Sequence, residues 1–160
     1  MSSCQVRAAT PDDAVAAVEV LRASITLLCV PDHQGNTFAL ESWLSNKTPQ
    51  VFCAWLSSPD SCLLVGEVAG QISGVASMQR SGEIKLCYVK PGSQRAGVGR
   101  ALLGALEAQA RRWGIDRLQL LSSVVARPFY EAQGFVSSGE PRPRWGGLAH
   151  AYPYSKQLQG

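Results

Sequence analysis

Two glycines one residue apart, Gly97 and Gly99, stand just ahead of a run with helical periodicity in the stretch "SQRAGVGRALLGALEAQA", residues 93–110. Glycine destabilises a helix and is usually placed where the backbone must turn or be approached closely. The first N–H groups of a helix have no partner within it, and the helix dipole favours negative charge there. A glycine turn at this position can therefore hold a phosphate group against its backbone.

The charge distribution also points to an anionic ligand near this turn. Residues 80–112 contain seven Lys or Arg and two Glu, whereas residues 1–60 contain three Lys or Arg and six Asp or Glu. A local excess of positive charge around the glycine pair favours an anion there. For Arg111 and Arg112 a solvated helix face is the simpler interpretation. The net charge of the whole chain is only +3, so we expect no nucleic-acid partner.

Four further side chains are candidates for chemistry. Glu67 lies in an apolar strand pattern, and burial there would raise the pKa of its carboxyl, as a general base requires. Glu83 lies on a nearby predicted strand and is the second candidate base. For both, a solvent-facing strand position is the simpler interpretation. Asp32 and His33 lie in a predicted loop between two helices, where such a pair is ordinarily a turn feature.

The cysteines indicate neither a disulfide framework nor a metal site. There are five, an odd number, and no two form a CxxC pair. That pattern argues against disulfides and against zinc, and we expect no metal. Cys53, Cys62 and Cys87 lie among apolar residues and are expected to behave as small buried hydrophobic residues.

The apolar periodicity predicts the elements that position these groups. A β-hairpin turns at 69–71, and the next strand leads into the glycine turn. The helix after that turn is followed by a near-continuously apolar strand, predicted to be buried on both faces and parallel to the strand before the turn. The predicted helices are 11–27, 37–46, 48–58, 99–113 and 126–134, the predicted strands are 5–9, 61–69, 71–79, 83–91, 116–123, 135–139 and 148–158, and 139–147 is a loop.

The length and the apolar runs bound the class of protein. The 160 residues fit a single domain, 1–160, that can bury a hydrophobic core. No apolar stretch approaches the roughly 20 residues of a membrane span. The first residues lack the layout of a signal peptide. We therefore expect a cytoplasmic protein with no membrane partner.

Three ligand classes use a glycine turn at a helix start, and the flanking residues separate them. A P-loop needs Gly-Lys-Ser/Thr, but Gly99 is followed by Arg100 and Ala101. A dinucleotide fingerprint needs a third glycine where this chain has Leu102. The pyrophosphate of coenzyme A is the third class.

The sequence resembles the GCN5-related N-acetyltransferase (GNAT) family in three segments. Residues 94–99, "QRAGVG", fit the acyl-CoA signature Gln/Arg-x-x-Gly-x-Gly/Ala of that family. "LCYVKP" (86–91) is similar to its fourth strand, and "SVVARPFYEAQGF" (123–135) to its later Phe-Tyr element. The resemblance implies an α/β fold with a central, mostly antiparallel sheet flanked by helices. The fourth and fifth strands of that sheet are parallel and splay apart.

The resemblance implies that acetyl-CoA lies in this splay as co-substrate. The main chain at Cys87 and Val89 would bond the pantetheine amides, and Tyr88 would help to keep the strands apart. The amides of residues 95–100 would hold the pyrophosphate. Ser123 stands where the family more often has Asn. The implied coenzyme-binding residues are Cys87, Tyr88, Val89, Gln94, Arg95, Ala96, Gly97, Val98, Gly99, Arg100, Ser123 and Tyr130.

The resemblance also implies the reaction, a direct transfer of acetyl from the thioester to a primary amine. Tyr130 would be the general acid that protonates the leaving sulfur, and Glu67 or Glu83 the general base. Asp32 and His33 would lie in the region that lines the acceptor site, and the loops 29–37 and 139–147 would shape that pocket.

The acceptor is expected to be a small molecule. A protein lysine or N-terminus is the alternative acceptor, and a non-catalytic acyl-CoA-binding module is the alternative function. Free sheet edges and the C-terminal strand would permit a homodimer.

Overall fold

The structure, a computed structural model, describes residues 3–159 and contains an eight-stranded mixed sheet. The strands are β1 (Cys4–Ala8), β2 (Ser61–Val68), β3 (Gln71–Gln79), β4 (Glu83–Val89), β5 (Arg117–Ser122), β6 (Val136–Ser137), β7 (Arg142–Arg144) and β8 (Ala149–Gln157). Their order in the sheet is β1-β2-β3-β4-β5-β8-β6, and β7 pairs with β8 beside this path. All the pairings are antiparallel except that of β4 with β5.

Helices cover both faces of this sheet. The long helix after the glycine turn packs with apolar residues of β2 to β5 in one core, and the first and fourth helices pack against the opposite face in a second core. None of the helices in residues 3–159 is long and apolar enough to cross a membrane. The helices are α1 (Ala14–Ala23), α2 (Val30–His33), α3 (Thr37–Leu44), α4 (Pro49–Leu56), α5 (Val98–Arg112) and α6 (Arg127–Ala132).

The helical segment predicted for 11–27 is irregular at both ends. It begins with a 3₁₀ turn at Pro11–Asp13, and Ser24–Leu28 forms a wider, π-helical turn after α1. Such wide turns in a helix are frequently found at functional sites. The short helix α2 then occupies part of the segment predicted to be a loop, and it contains Asp32 and His33.

Two predictions about strands are wrong. The segment Arg117–Ser122 alternates between exposed and buried residues, and Leu121 is 44% exposed, so β5 is not buried on both faces. Arg117 and Gln119 lie on the exposed face although β4 still pairs with Gln119, and Leu121 lies beside the opening that forms where β4 and β5 separate. The predicted loop 139–147 contains strand β7, which pairs with Ala149–Ala151 of β8.

The strands β4 and β5 separate soon after they begin. Only two residue pairs are in parallel register, Glu83 with Gln119 and Ile84 with Leu120. Beyond Ile84, β4 continues to Val89 with a partner on its β3 side alone. The sheet therefore has an opening between its fourth and fifth strands.

Candidate functional site

A cavity of about 410 Å³ fills the opening between β4 and β5. Its walls come from β4 and β5, from the glycine turn, and from α6. Ser24, Leu28 and Cys29, at the π-helical turn, close its far side. The donor cavity, as we call it, thus runs from the start of α5 through the sheet.

The backbone edge of β4 faces this cavity. The Lys90 N–H donates to the Ser73 carbonyl on β3 at 2.8 Å. Backbone groups of an antiparallel strand point alternately toward and away from its partner. The N–H and C=O groups of Val89 and Cys87 therefore point away from β3, toward the side where β5 has left.

The two glycines of the turn are needed for different reasons. Gly97 precedes α5 with a φ of +76°, a left-handed conformation that disfavours side chains, although nothing lies within 4 Å of a Cβ placed there. Gly99 has ordinary helical backbone, but a Cβ there would lie 3.1 Å from the Phe129 ring. Gly97 therefore shapes the turn, and Gly99 allows α5 and α6 to approach.

Tyr130 lies on α6 with its ring buried and its side chain on the wall of the donor cavity. Its ring makes edge contacts with Phe129 and Phe135, with centroid distances of 5.2 and 5.6 Å. Burial raises the pKa of Tyr130 well above its usual value, and the neighbouring Cys87 thiol and Tyr88 hydroxyl add to this shift. The phenol is therefore held in its protonated form, as a proton donor must be.

The Cys87 thiol is also kept protonated. Burial raises its pKa to about 12, although a hydrogen bond with Tyr130 opposes this shift. The thiolate is the nucleophilic form of cysteine, so Cys87 is poorly suited to carry an acyl group at neutral pH. Cys53, Cys62 and Cys87 are all only half-buried, so the prediction that they are buried residues is only partly met.

Asp32 orders the loop that follows β5. Its carboxylate accepts hydrogen bonds from the backbone N–H groups of Val124, at 2.6 Å, and Val125, at 3.3 Å. Burial raises the pKa of Asp32, and these two bonds oppose the shift. The adjacent Ser123 lines the donor cavity, and its hydroxyl accepts from the Ala126 N–H at the start of α6. Asp32 thus holds the loop beside the donor cavity, and it lines neither this cavity nor the second one described below.

His33 is buried within the helical segment and lines neither cavity described here. Its Nδ1 accepts from the Gly35 N–H at 3.0 Å, so Nε2 carries the proton and donates to the Ile25 carbonyl at 3.1 Å. Ile25 belongs to the π-helical turn. The His33 side chain therefore satisfies a backbone carbonyl of this turn and is not directed at a ligand.

The two candidate bases lie in different places. Glu67, on β2, accepts a 2.6 Å bond from Arg7, which also pairs with Asp13, and it lines neither cavity. Glu83 lies at the start of β4, with its carboxylate 3.7 Å from the Lys85 ammonium, and it lines a second cavity. The structure therefore places Glu67 away from both cavities and Glu83 on the wall of the second cavity alone.

Most of the coenzyme-binding residues predicted from the sequence meet at the donor cavity. Arg95 and Ala96 are exposed residues of the turn that do not line it, and Val98 is fully buried in the core. Gln94 also accepts a hydrogen bond from the Gly92 N–H within the turn. The predicted residues that line the cavity are Cys87, Tyr88, Val89, Gln94, Gly97, Gly99, Arg100, Ser123 and Tyr130.

The second cavity, of about 560 Å³, lies beside the donor cavity on the side of α3 and α4. Trp43, Tyr88 and Arg144 line both cavities, so the two meet at the opening in the sheet. Trp43 Nε1 donates to the Tyr88 hydroxyl at 3.2 Å, which fixes this shared wall. We call it the acceptor-side cavity.

Apart from Glu83, the sequence analysis named none of the charged residues of the acceptor-side cavity. Lys47, Arg142 and Arg144 line it, and Arg144 lies over the Trp43 and Trp145 rings. The basic residues of "RPRWGG" lie in the loop 139–147, which was expected to shape the acceptor pocket but without a role for any of its side chains. Within residues 3–159 no group of three or more His, Cys, Asp or Glu residues is placed to hold a metal ion.

Comparisons with known proteins agree with this geometry. The sequence model of the acetyltransferase (GNAT) domain matches residues 22–156. A crystal structure from Rhodopseudomonas palustris, titled as a GCN5-related N-acetyltransferase and "Aminotransferase, Class-II", is 27% identical, with a TM-score of 0.86 over 99% of this chain and 98% of that chain. The PaiA N-acetyltransferase from Thermoplasma acidophilum, solved in complex with coenzyme A, has a TM-score of 0.82 at 18% identity, over 98% of this chain and 99% of that chain.

A curated protein is also similar to this chain in sequence. The protein named "IAA acetyltransferase" from Azospirillum brasilense is 30% identical over 92 residues, which cover 52% of this chain and 60% of that protein. The chain thus matches less than two thirds of that relative's length. The predicted family and fold are confirmed by the domain match, the parallel β4–β5 pairing and the similar structures. The chain belongs to the GNAT family of acetyltransferases.

Proposed function

We propose that this protein transfers the acetyl group of acetyl-CoA to the primary amine of a small molecule. The observation that supports it most is the donor cavity, which joins the start of α5 to the Tyr130 side chain along an unpaired backbone edge. That arrangement suits a long ligand with a phosphate end, an amide-bearing middle and a reactive thioester end. The coenzyme A in the similar PaiA structure and the name of the Azospirillum relative support the choice of acetyl-CoA.

Each part of acetyl-CoA has residues suited to bind it. The backbone N–H groups at the start of α5, with Arg100 on the cavity wall, would hold the pyrophosphate. The pantetheine arm would pair with the main chain of Cys87 and Val89, as an added strand pairs with a free sheet edge. The acetyl group would then lie at the junction of the two cavities, next to Tyr130.

The reaction is a direct displacement. The amine nitrogen attacks the thioester carbon, the C–S bond breaks, and the sulfur takes the Tyr130 hydroxyl proton. The nitrogen loses its surplus proton as the amide forms, and that proton restores the Tyr130 phenol. The ammonium form of the acceptor must first lose a proton. Glu83 is the only carboxylate on the walls of either cavity within residues 3–159, so we propose that it takes this proton through water, and we no longer propose Glu67 for the role.

Release of free thiol from acetyl-CoA tests the proposal. We expect thiol release to depend on an added amine, measured with a panel of small primary amines and with peptides that offer a lysine or a free N-terminus. A small amine that gives the higher kcat/KM supports the proposed acceptor class. Higher kcat/KM with peptides would favour a protein acceptor, and tight acetyl-CoA binding without turnover of any amine would favour a binding module.

A further inference from the structure

The acceptor-side cavity has more positive than negative charge on its walls. Lys47, Lys85, Arg142 and Arg144 line it, and Glu83 is the one acid of its lining within residues 3–159. Glu83 lies next to Lys85, so it does not neutralise the other three. A cavity with unpaired cations favours a ligand that brings negative charge.

Lys47 is a buried cation without a carboxylate partner among residues 3–159. It is only 7% exposed, and its ammonium donates to the Trp43 carbonyl at 3.2 Å and to the Asn46 side-chain oxygen at 2.6 Å. An ammonium has three N–H donors, so these bonds leave one for a ligand. Burial and the nearby Arg144 charge lower its pKa to about 8. An unpaired buried charge is costly, and an anion in the cavity would offset the cost.

Arg144 is oriented for a planar anion. Its Cζ lies 4.2 Å from the centroid of the Trp145 ring and 5.7 Å from that of the Trp43 ring. The two ring centroids are only 5.2 Å apart, so both rings lie to one side of the guanidinium and leave its N–H edge able to bond a ligand. That edge matches the two oxygens of a carboxylate. The charge of Arg144 also acts on the buried Asp32 carboxylate, but that carboxylate is already bonded to two backbone N–H groups.

The same cavity has aromatic walls. Trp43 and Trp55 line it together with aliphatic residues such as Leu63 and Leu86. Trp43 also lines the donor cavity, so an acceptor bound against it would lie next to the thioester. The cavity therefore offers a charged part and an apolar part within reach of one small molecule.

We propose that the amine acceptor carries a carboxylate, bound by Lys47 and Arg144, and an apolar or aromatic part that packs against Trp43 and Trp55. This inference rests on the proposed acetyltransferase function. It assigns the acceptor to the amino acids and related amino carboxylates.

Binding of a carboxylate that cannot be acetylated tests the charge recognition apart from turnover. The probes are 3-phenylpropionate and its neutral counterpart 3-phenylpropanol, titrated into the full chain saturated with coenzyme A and followed by tryptophan fluorescence. We expect the carboxylate to bind with a Kd at least about tenfold lower, because it gains charge-assisted hydrogen bonds. Equal affinities, tighter binding of the alcohol, or no saturable binding of the carboxylate would each overturn the proposal.

Substitutions show which residues cause the preference for the carboxylate. Lys47→Met and Arg144→Gln should each remove most of the preference for the carboxylate. Arg80→Gln is the matched control, because Arg80 also lies over a tryptophan ring, that of Trp113 at 5.1 Å, but lines neither cavity. A preference that survives in both cavity variants overturns the assignment to these two residues.

Turnover separates the two proposals. Phenylalanine and phenethylamine differ only by the carboxylate, and we expect kcat/KM to be at least about tenfold higher for phenylalanine, for the same electrostatic reason. A higher value for phenethylamine overturns the acceptor assignment while leaving acetyl transfer in place. If the carboxylate probe binds preferentially but no amine is acetylated, the anion site stands and the proposed enzymatic function fails.

Discussion

Tyr130 combines two properties that a proton donor to a leaving thiolate needs. Its side chain reaches the wall of the donor cavity, and burial keeps its pKa well above the usual value of a phenol. The hydroxyl therefore remains protonated through the neutral range and can transfer its proton when negative charge develops on sulfur. The aromatic contacts with Phe129 and Phe135 hold the ring in place for this transfer.

Replacement of Tyr130 by Phe should separate chemistry from binding. We expect kcat to fall about 100-fold, because general acid catalysis contributes that order of rate enhancement. The Kd for acetyl-CoA should change little, since the ring packing is retained. Steady-state kinetics and calorimetry measure the two quantities, and Tyr152→Phe, outside both cavities, is the control. Normal turnover of Tyr130→Phe would show that another group protonates the thiolate.

Among individual site residues, those that belong to a short sequence motif could be predicted from the sequence. Tyr130 and Gly97 were found because they belong to short, ordered patterns. Lys47 was not found, because nothing in "LSNKTP" shows that this lysine is buried. Its burial depends on chain segments that are distant in sequence, such as β4 and β7, whose residues line the same cavity.

At the scale of elements, the turn before α5 determines where a phosphate can lie. Gly97 has a left-handed φ and open space around it, so its backbone is accessible from the cavity. The side chain of the following Val98 is directed into the core between β2, β3 and α5. The turn thus exposes one residue's amide group and anchors the next residue's side chain.

Two substitutions at Gly97 separate backbone strain from charge. Both Gly97→Ala and Gly97→Glu adopt the unfavourable left-handed φ, at a cost of about 1–2 kcal/mol each. Only Gly97→Glu places a carboxylate beside the proposed pyrophosphate, so its Kd for acetyl-CoA should rise at least about 100-fold above that of Gly97→Ala. Circular dichroism checks that both variants fold. Equal affinities would contradict phosphate binding at this turn.

The order of elements was largely predictable, whereas their exposure was not. The hairpin, the helix after the glycine turn and the parallel strand pair follow from turn residues and apolar spacing. The exposed face of β5 does not, because Leu121 looks like a core residue in the sequence but faces the space that the departure of β4 creates. Whether two strands separate depends on how they pair, and the sequence of neither strand alone predicts it.

At the scale of the whole molecule, the acceptor-side cavity costs stability. Lys47 has a pKa of about 8 in the folded protein, against an ordinary value of 10.5. Between these two values the unfolded chain binds more protons than the folded one. The free energy of unfolding should therefore rise as pH increases from about 8 to 10.5.

Lys47→Met should accordingly stabilise the free protein at pH 7. We expect a gain of about 2 kcal/mol, because relief of the buried charge exceeds the two hydrogen bonds that are lost. Urea unfolding at several pH values measures it, and the gain should shrink above pH 8. Lys90→Met, an exposed lysine outside both cavities, is the control. A destabilised Lys47→Met protein would mean that the lysine serves mainly to hold Trp43 and Asn46.

The π-helical turn at Ser24–Leu28 has a consequence for how this site tolerates sequence change. A turn of this kind holds one residue more than the regular helix around it. The His33 side chain donates a hydrogen bond to the Ile25 carbonyl in this turn. Deletion of one residue from this turn would let the helix return to its regular winding, and the later positions would keep their orientation because the wide turn had absorbed that residue. Leu28 and Cys29 would still face the donor cavity, whereas the wide turn in which His33 bonds the Ile25 carbonyl would be lost. This segment should therefore tolerate the loss of one residue, and we expect natural variants that are one residue shorter here to lack a histidine at the position of His33.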